Sequence, residues 1–203
     1  MENLIIYAFV YLLGSIPFGL LLAKIFAKVD IQSQGSKSIG ATNVLRVVKQ
    51  HNESLAKKLA LGTVVLDFAK AAVPLFILQT QDYNANLLWT VAVLLVLGHC
   101  FSIYLLFQGG KGIATGAGAM IVLLPLDLLS AIIVWFLIGK FFKISSLASL
   151  LALCTFLVSS FIFHFDLEPI NTHAPLFIIA FFIVYKHWSN IKRLLLKKEC
   201  KVI

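Results

Sequence analysis

The stretch Q-G-G-K-G, residues 108–112, sets Lys111 among Gly109, Gly110 and Gly112, where two long apolar runs meet. It is not a nucleotide-binding P-loop. That pattern needs glycine at position 105 and serine or threonine at 112, and the chain has Leu105 and Gly112 there. What remains is a tight loop whose backbone N–H groups can turn toward an anion around one point charge, at the start of a helix whose dipole favours negative charge. A second segment, G-S-K-S-I-G-A-T-N-V-L-R at 35–46, has the same chemistry. Gly35 and Gly40 free the backbone, Ser36, Thr42 and Asn43 offer donors, and Arg46 can fork onto anionic oxygens. A third, Y-K-H-W-S-N-I-K-R at 185–193, spaces His187, Asn190 and Arg193 at i, i+3, i+6, along roughly one helix face. Taken alone, each also fits a plain structural role: a capped turn, a basic loop, a polar helix end.

The elements that must position these groups are apolar. Of 203 residues, 60% are hydrophobic and 13% charged, and the mean hydropathy is +0.95. A water-soluble domain could not cover so much apolar surface with so little charge, so the chain reads as an integral membrane protein. Its net charge of +8 is distributed between apolar runs instead of along one stripe, which argues for membrane orientation over nucleic-acid binding. The amino end lacks a basic leader and a small-residue cleavage site and reads as a retained span.

Apolar runs predict an all-α, single-domain chain over 1–203. Its seven spans fall near 4–26, 58–79, 87–106, 113–126, 127–142, 144–163 and 172–190. The two short runs around Pro125 are read as a hairpin. One merged helix of 30 residues would be about 45 Å long, against a hydrocarbon core of ~30 Å, and would bury Asp127. With seven spans and the amino end outside, one side receives Lys24, Lys28, Lys37, Arg46, Lys49, Lys57, Lys58, Lys111, Lys140, Lys143 and the basic tail. The other receives Glu2, Asp82, Asp127, Asp166 and Glu168 with no Lys or Arg, so the first side is cytoplasmic.

Asp67 and Lys70 are the only charges set well inside a span, and at i,i+3 they share a face. They read either as an ion pair aiding helix packing or as groups facing substrate. Gly112, Gly116 and Gly118, with Ala114 and Ala117, predict close helix approach. Pro17, with Gly14 and Gly19, predicts a kink in the first span. His99 reads as a hydrogen-bonded scaffold residue. Cys100, Cys154 and Cys200 have no ligand or disulfide spacing.

Together these motifs resemble the bacterial acyl-phosphate:glycerol-3-phosphate acyltransferases, the PlsY family, nearly end to end. The likeness is carried by YLLGSIPFG, GSxxxGATNxxR, LDFxK, GHxF followed by F-x-GGKG-x-AT, and H-x-x-N-x-x-R. Ser38, Ala71 and Ser102 depart from the family pattern, standing where Asn, Gly and Pro are expected. The resemblance implies a seven-helix membrane enzyme of the bacterial inner membrane with a cytoplasmic active site. It implies acyl phosphate as donor and glycerol 3-phosphate as acceptor, with no metal, cofactor or obligatory protein partner. Catalytic roles are expected for Ser36, Lys111, His187 and Asn190. Substrate binding is expected for Gly35, Gly40, Thr42, Asn43, Arg46, Gly109, Gly110, Gly112 and Arg193. His187 and a substrate phosphate oxygen remain alternative bases. The H-x-x-x-x-D pair of another acyltransferase class is absent. An anion transporter, the competing membrane reading, would more naturally place its polar groups near the midplane.

Overall fold

The computed structural model describes residues 2–201, all helix, turn or loop with no strand among them. Ten helices follow in order: α1 Glu2–Ser15, α2 Phe18–Leu22, α3 Ala41–Val48, α4 Glu53–Thr80, α5 Ala85–Cys100, α6 Ile113–Leu123, α7 Pro125–Phe142, α8 Ser145–Phe163, α9 Ala174–Lys186 and α10 Trp188–Leu195. Four of these, α7, α8, α4 and α5 (the last extended to Leu105), are long and apolar enough to cross a membrane. The count reaches six if the bent pairs α1/α2 and α9/α10 each form one span. The expected span at 113–126 is an 11-residue helix, about 16 Å long at 1.5 Å per residue.

The first span bends by 42° around Pro17. Proline removes one backbone donor, and carbonyls freed inside an apolar layer need partners from elsewhere. Ser102 Oγ donates to the Ser15 carbonyl at 2.6 Å, and Lys70 Nζ to that of Ile16 at 3.0 Å. Ser102, where the family pattern has proline, therefore acts as a cross-helix donor. Gly14 lets α1 lie against α5, since a Cβ there would sit 2.5 Å from the Leu95 carbonyl oxygen. Gly118 does the same for α6 on α4, at 2.1 Å from that of Phe68. Both fit the small-residue rule for packing apolar helices.

Between α6 and α7 the break falls at Leu124, with Pro125 opening the new helix, where its missing N–H costs nothing. Asp127, assigned by sequence to the outer side, is fully buried in the first turn of α7. Its Oδ2 lies 2.9 Å from His164 Nδ1 just past the end of α8, so the α7–α8 hairpin brings a polar partner to it. The α9–α10 corner bends by 61° at His187, which interrupts the continuous helix expected over 172–190.

One large apolar cluster joins α1, α4, α5, α6, α7, α8 and α9 around Leu75, Leu95, Ala119 and Phe156. A second, smaller cluster seats α3 on α2 and the start of α4 through Val44, Val47, Val48 and Leu59. That second cluster explains why a short amphipathic helix at the membrane edge is fixed: it presents the Gly35–Arg46 segment to the bundle.

Candidate active site

A single cavity of about 490 Å³ receives all three sequence segments. Its polar end is lined by Ser36, Gly40, Thr42, Asn43, Arg46, Lys111, Gly112, His187 and Asn190. From there it continues between α6, α7, α8 and α9 along apolar residues including Ala117, Ala131, Phe156 and Ile179.

The first segment is folded by Asn43. Its Nδ2 donates to the carbonyls of Ile31, Ser38 and Gln34 at 2.8, 2.9 and 3.3 Å, and its Oδ1 accepts from the Ser36 amide at 2.8 Å. Both ends of the buried amide are thus committed to the loop, which makes Asn43 its organiser. Gly35 has φ +59°, and a side chain there would meet Asn43 Oδ1 at 2.3 Å, so glycine is required. Thr42 Oγ1 meets Ser145 Oγ at 3.1 Å, tying α3 to the start of α8.

In the second segment Gly109 and Gly110 do not line the cavity. They lie on His99: a Cβ on Gly109 would sit 2.1 Å from the His99 carbonyl oxygen, and one on Gly110 2.1 Å from its Nε2. The Gly110 amide donates to that same carbonyl at 2.9 Å. Gly112 takes φ +83° immediately before α6. This leaves Lys111 facing the cavity. Burial pushes its ammonium down to about 8; Glu199 opposes the fall, and the cations of Arg193 and Arg46 add to it. A lysine partly stripped of water and under the influence of two guanidiniums is a site in need of anions.

In the third segment His187 sits at the α9–α10 corner, 2% exposed. Its Nδ1 lies 2.8 Å from the Ile183 carbonyl, an acceptor only, so Nδ1 carries the proton and Nε2 keeps a lone pair. Asn190, one turn later, is also buried, and its Oδ1 has no partner. Arg193 is more exposed and does not line the cavity; its Nε donates to Glu199.

Sequence reasoning missed four polar lining residues, Ser145, Ser146, Ser149 and Glu199. Glu199, counted within the basic tail, accepts from Asn190 Nδ2 at 2.6 Å and Ser146 Oγ at 3.0 Å as well as from Arg193. Burial raises its carboxyl, but hydrogen bonds from Arg193, Asn190 and Ser146 win and hold it below the usual range. Ser145 and Ser146 open α8 and read in sequence as ordinary helix-start residues. The one available signal was Glu199 itself, the only acid after Glu168.

Long apolar helices, with a cationic and hydroxyl-rich chamber opening into an apolar one, define an integral membrane protein with a single polar-to-apolar cavity. The family profile described as glycerol-3-phosphate acyltransferase matches residues 4–197. Glycerol-3-phosphate acyltransferases of Campylobacter jejuni subsp. doylei and of C. jejuni subsp. jejuni serotype O:2 are 73% and 75% identical over 203 residues, the full length of each chain. The one from Campylobacter lari is 62% identical, also over the full length of both. Among solved structures, PlsY, an integral membrane glycerol 3-phosphate acyltransferase in its glycerol 3-phosphate form, superposes with a TM-score of 0.87 at 33% identity, covering 99% of this chain and 96% of that one. Its lysophosphatidic acid form gives 0.82 at 32% identity, covering 99% and 95%. The chain belongs to the glycerol-3-phosphate acyltransferase family.

Proposed function

We propose that this protein transfers an acyl group from acyl phosphate to the 1-hydroxyl of glycerol 3-phosphate, releasing lysophosphatidic acid and inorganic phosphate. One observation carries the reading: a single cavity joins a polar chamber, flanked by Arg46, Lys111 and Asn190, to an extension lined by apolar residues of α6, α7, α8 and α9. Such a shape suits a donor with a phosphate head and a hydrocarbon tail. An acyl phosphate is a mixed anhydride whose carbonyl is already activated, so alignment and charge stabilisation suffice without a covalent acyl-enzyme, metal or cofactor.

Lys111, the Gly112 amide and Ser36 hold the acyl phosphate and the oxyanion that develops on its carbonyl. His187 and Asn190 orient glycerol 3-phosphate, with Arg46 and Thr42 between the two phosphates, and Arg193 acts on the acceptor from the cavity margin through Glu199. The acceptor oxygen adds to the carbonyl carbon, the bond from that carbon to the phosphate oxygen breaks, and phosphate leaves. The hydroxyl proton passes to the free Nε2 of His187 or to a phosphate oxygen. The tautomer imposed by the Ile183 carbonyl supports the first route, because it leaves Nε2 able to accept.

In the same reading the chain crosses the bacterial inner membrane seven times, amino end outside, with the chamber on the cytoplasmic face and no obligatory protein partner. The short α6, packed on α4 through Gly118, is then the fourth of the seven spans. Purified protein supplied with glycerol 3-phosphate and palmitoyl phosphate is expected to yield lysophosphatidic acid. Palmitoyl-CoA or an acyl carrier protein thioester is expected to give none. Turnover with a thioester in the absence of acyl phosphate overturns the donor assignment, and labelling of positions 46 and 111 from opposite sides of the membrane overturns the topology.

A further inference from the structure

Beside the GGKG loop lies a buried group of charges that the reaction scheme does not use, two of which, Asp67 and His99, reach the wall of the same cavity. Lys70 Nζ, on α4, has three partners within 3.0 Å: Asp67 Oδ1 at 2.8 Å, His99 Nδ1 at 2.9 Å and the Ile16 carbonyl at 3.0 Å. The side chains of Lys70 and Asp67 are 1% and 4% exposed, and His99 is 4% exposed. An ammonium only donates, so Nδ1 of His99 must accept and the ring proton must sit on Nε2. That is the tautomer opposite to His187. The ring is thereby pinned at one edge, and its other edge fills the space where a side chain of Gly110 would be. The His99 carbonyl accepts the Gly110 amide and abuts Gly109. An ion pair serving packing alone needs two members; here a third connects it to the loop bearing Lys111.

We propose that Lys70 is a positioning residue for the phosphate-binding loop: it locks the His99 ring, and ring and carbonyl together form the bed on which Gly109, Gly110 and Lys111 are laid. Asp67 balances the charge that this requires in an apolar layer. The inference rests on the reading that the loop holds the donor phosphate, and it predicts a split between the two substrates. A loosened bed misplaces Lys111 but leaves His187 and Asn190, on other helices, in place.

The test uses Asp67→Asn/Lys70→Met, which removes both charges together and so leaves no unpaired ion. Expected in the full-length protein are a roughly 10- to 100-fold higher KM for palmitoyl phosphate, a KM for glycerol 3-phosphate within about twofold of wild type, and faster hydrogen exchange of the Gly110 amide by mass spectrometry of the loop peptide. The exchange measurement needs no substrate, so it stands even if the donor assignment fails. Conversely, wild-type turnover of palmitoyl phosphate and its loss in Lys111→Met test that assignment alone. Unchanged loop exchange, or both KM values rising together, overturns the positioning role. Should the double variant not fold, His99→Gln removes the nitrogen that Lys70 meets while keeping the Asp67–Lys70 pair, with the same outcomes expected. Loss of folding in both makes the network purely architectural and overturns the proposal.

Discussion

Asn190 and Glu199 are joined by a 2.6 Å hydrogen bond from amide to carboxylate, which orients Asn190 so that its unpaired Oδ1 remains buried at the cavity. The same carboxylate accepts from Arg193 and Ser146, so one tail residue fixes groups from α8 and α10. Glu199→Gln keeps an acceptor but removes the charge. A hydrogen bond to a charged group contributes about 1.5–3 kcal/mol, so the KM for glycerol 3-phosphate is expected to rise roughly 10- to 100-fold in steady-state assays. Glu199→Asp, one methylene shorter, is expected to fall between the two.

Lys111 loses its proton near pH 8 in the free protein. Donor phosphate favours the charged form, so binding above that pH takes up a proton, and the KM for acyl phosphate is expected to climb as pH rises past about 8. Lys111→Arg stays protonated and is expected to flatten this climb, even where its different geometry lowers the rate. For folding the sign is opposite. Between about 8 and the ordinary lysine value of 10.5 the unfolded chain keeps a proton that the folded one has lost. The contribution of this group to stability therefore rises with pH across that window. Pre-steady-state binding and thermal melts over pH 7–10 separate the two effects.

Gly118 packs with its Cα facing the Phe68 carbonyl, where an added Cβ would lie 2.1 Å from the oxygen. Backbone cannot yield as a side-chain tip can. Gly118→Ala is expected to cost about 1–3 kcal/mol and to lower the melting temperature in detergent by several degrees. Gly116→Ala, whose nearest neighbour would be an Ile183 methyl at 3.6 Å, is expected to be nearly neutral.

Asp127 is fully buried, and His164 is its ion-pair partner among the described residues. Removing one member of a buried pair costs more than removing both, by about 3–5 kcal/mol for the orphaned charge. His164→Leu is thus expected to destabilise more than Asp127→Asn/His164→Leu in melts of the detergent-solubilised protein, with kcat of the folded fraction unchanged in both.

Helix order, the kink at Pro17 and the break beside Pro125 were legible because proline and apolar length act locally. So was the meeting of the three polar segments at one end of the bundle, since charge placement alone puts them there. The corner at His187 was not. Tyr185, Lys186 and Trp188 include no helix breaker that would mark it. The work of Asn43 within its own loop, and of Glu199 across α8 and α10, depends on contacts between residues 5 to 53 positions apart, which no spacing rule encodes. The burial of Asp127 was not legible for the same reason: the residue beside it lies 37 residues on.

The bend at Pro17 bears on biogenesis. The carbonyls of Ser15 and Ile16 find their donors in Ser102 and Lys70, which the ribosome makes more than fifty residues later. Until α4 and α5 enter the bilayer, the first transmembrane segment must hold this kink near water or lean on the insertion machinery. The nascent amino-terminal segment is therefore expected to stay loosely seated and exchangeable, and to lock only when the loop that carries Lys111 is about to be made.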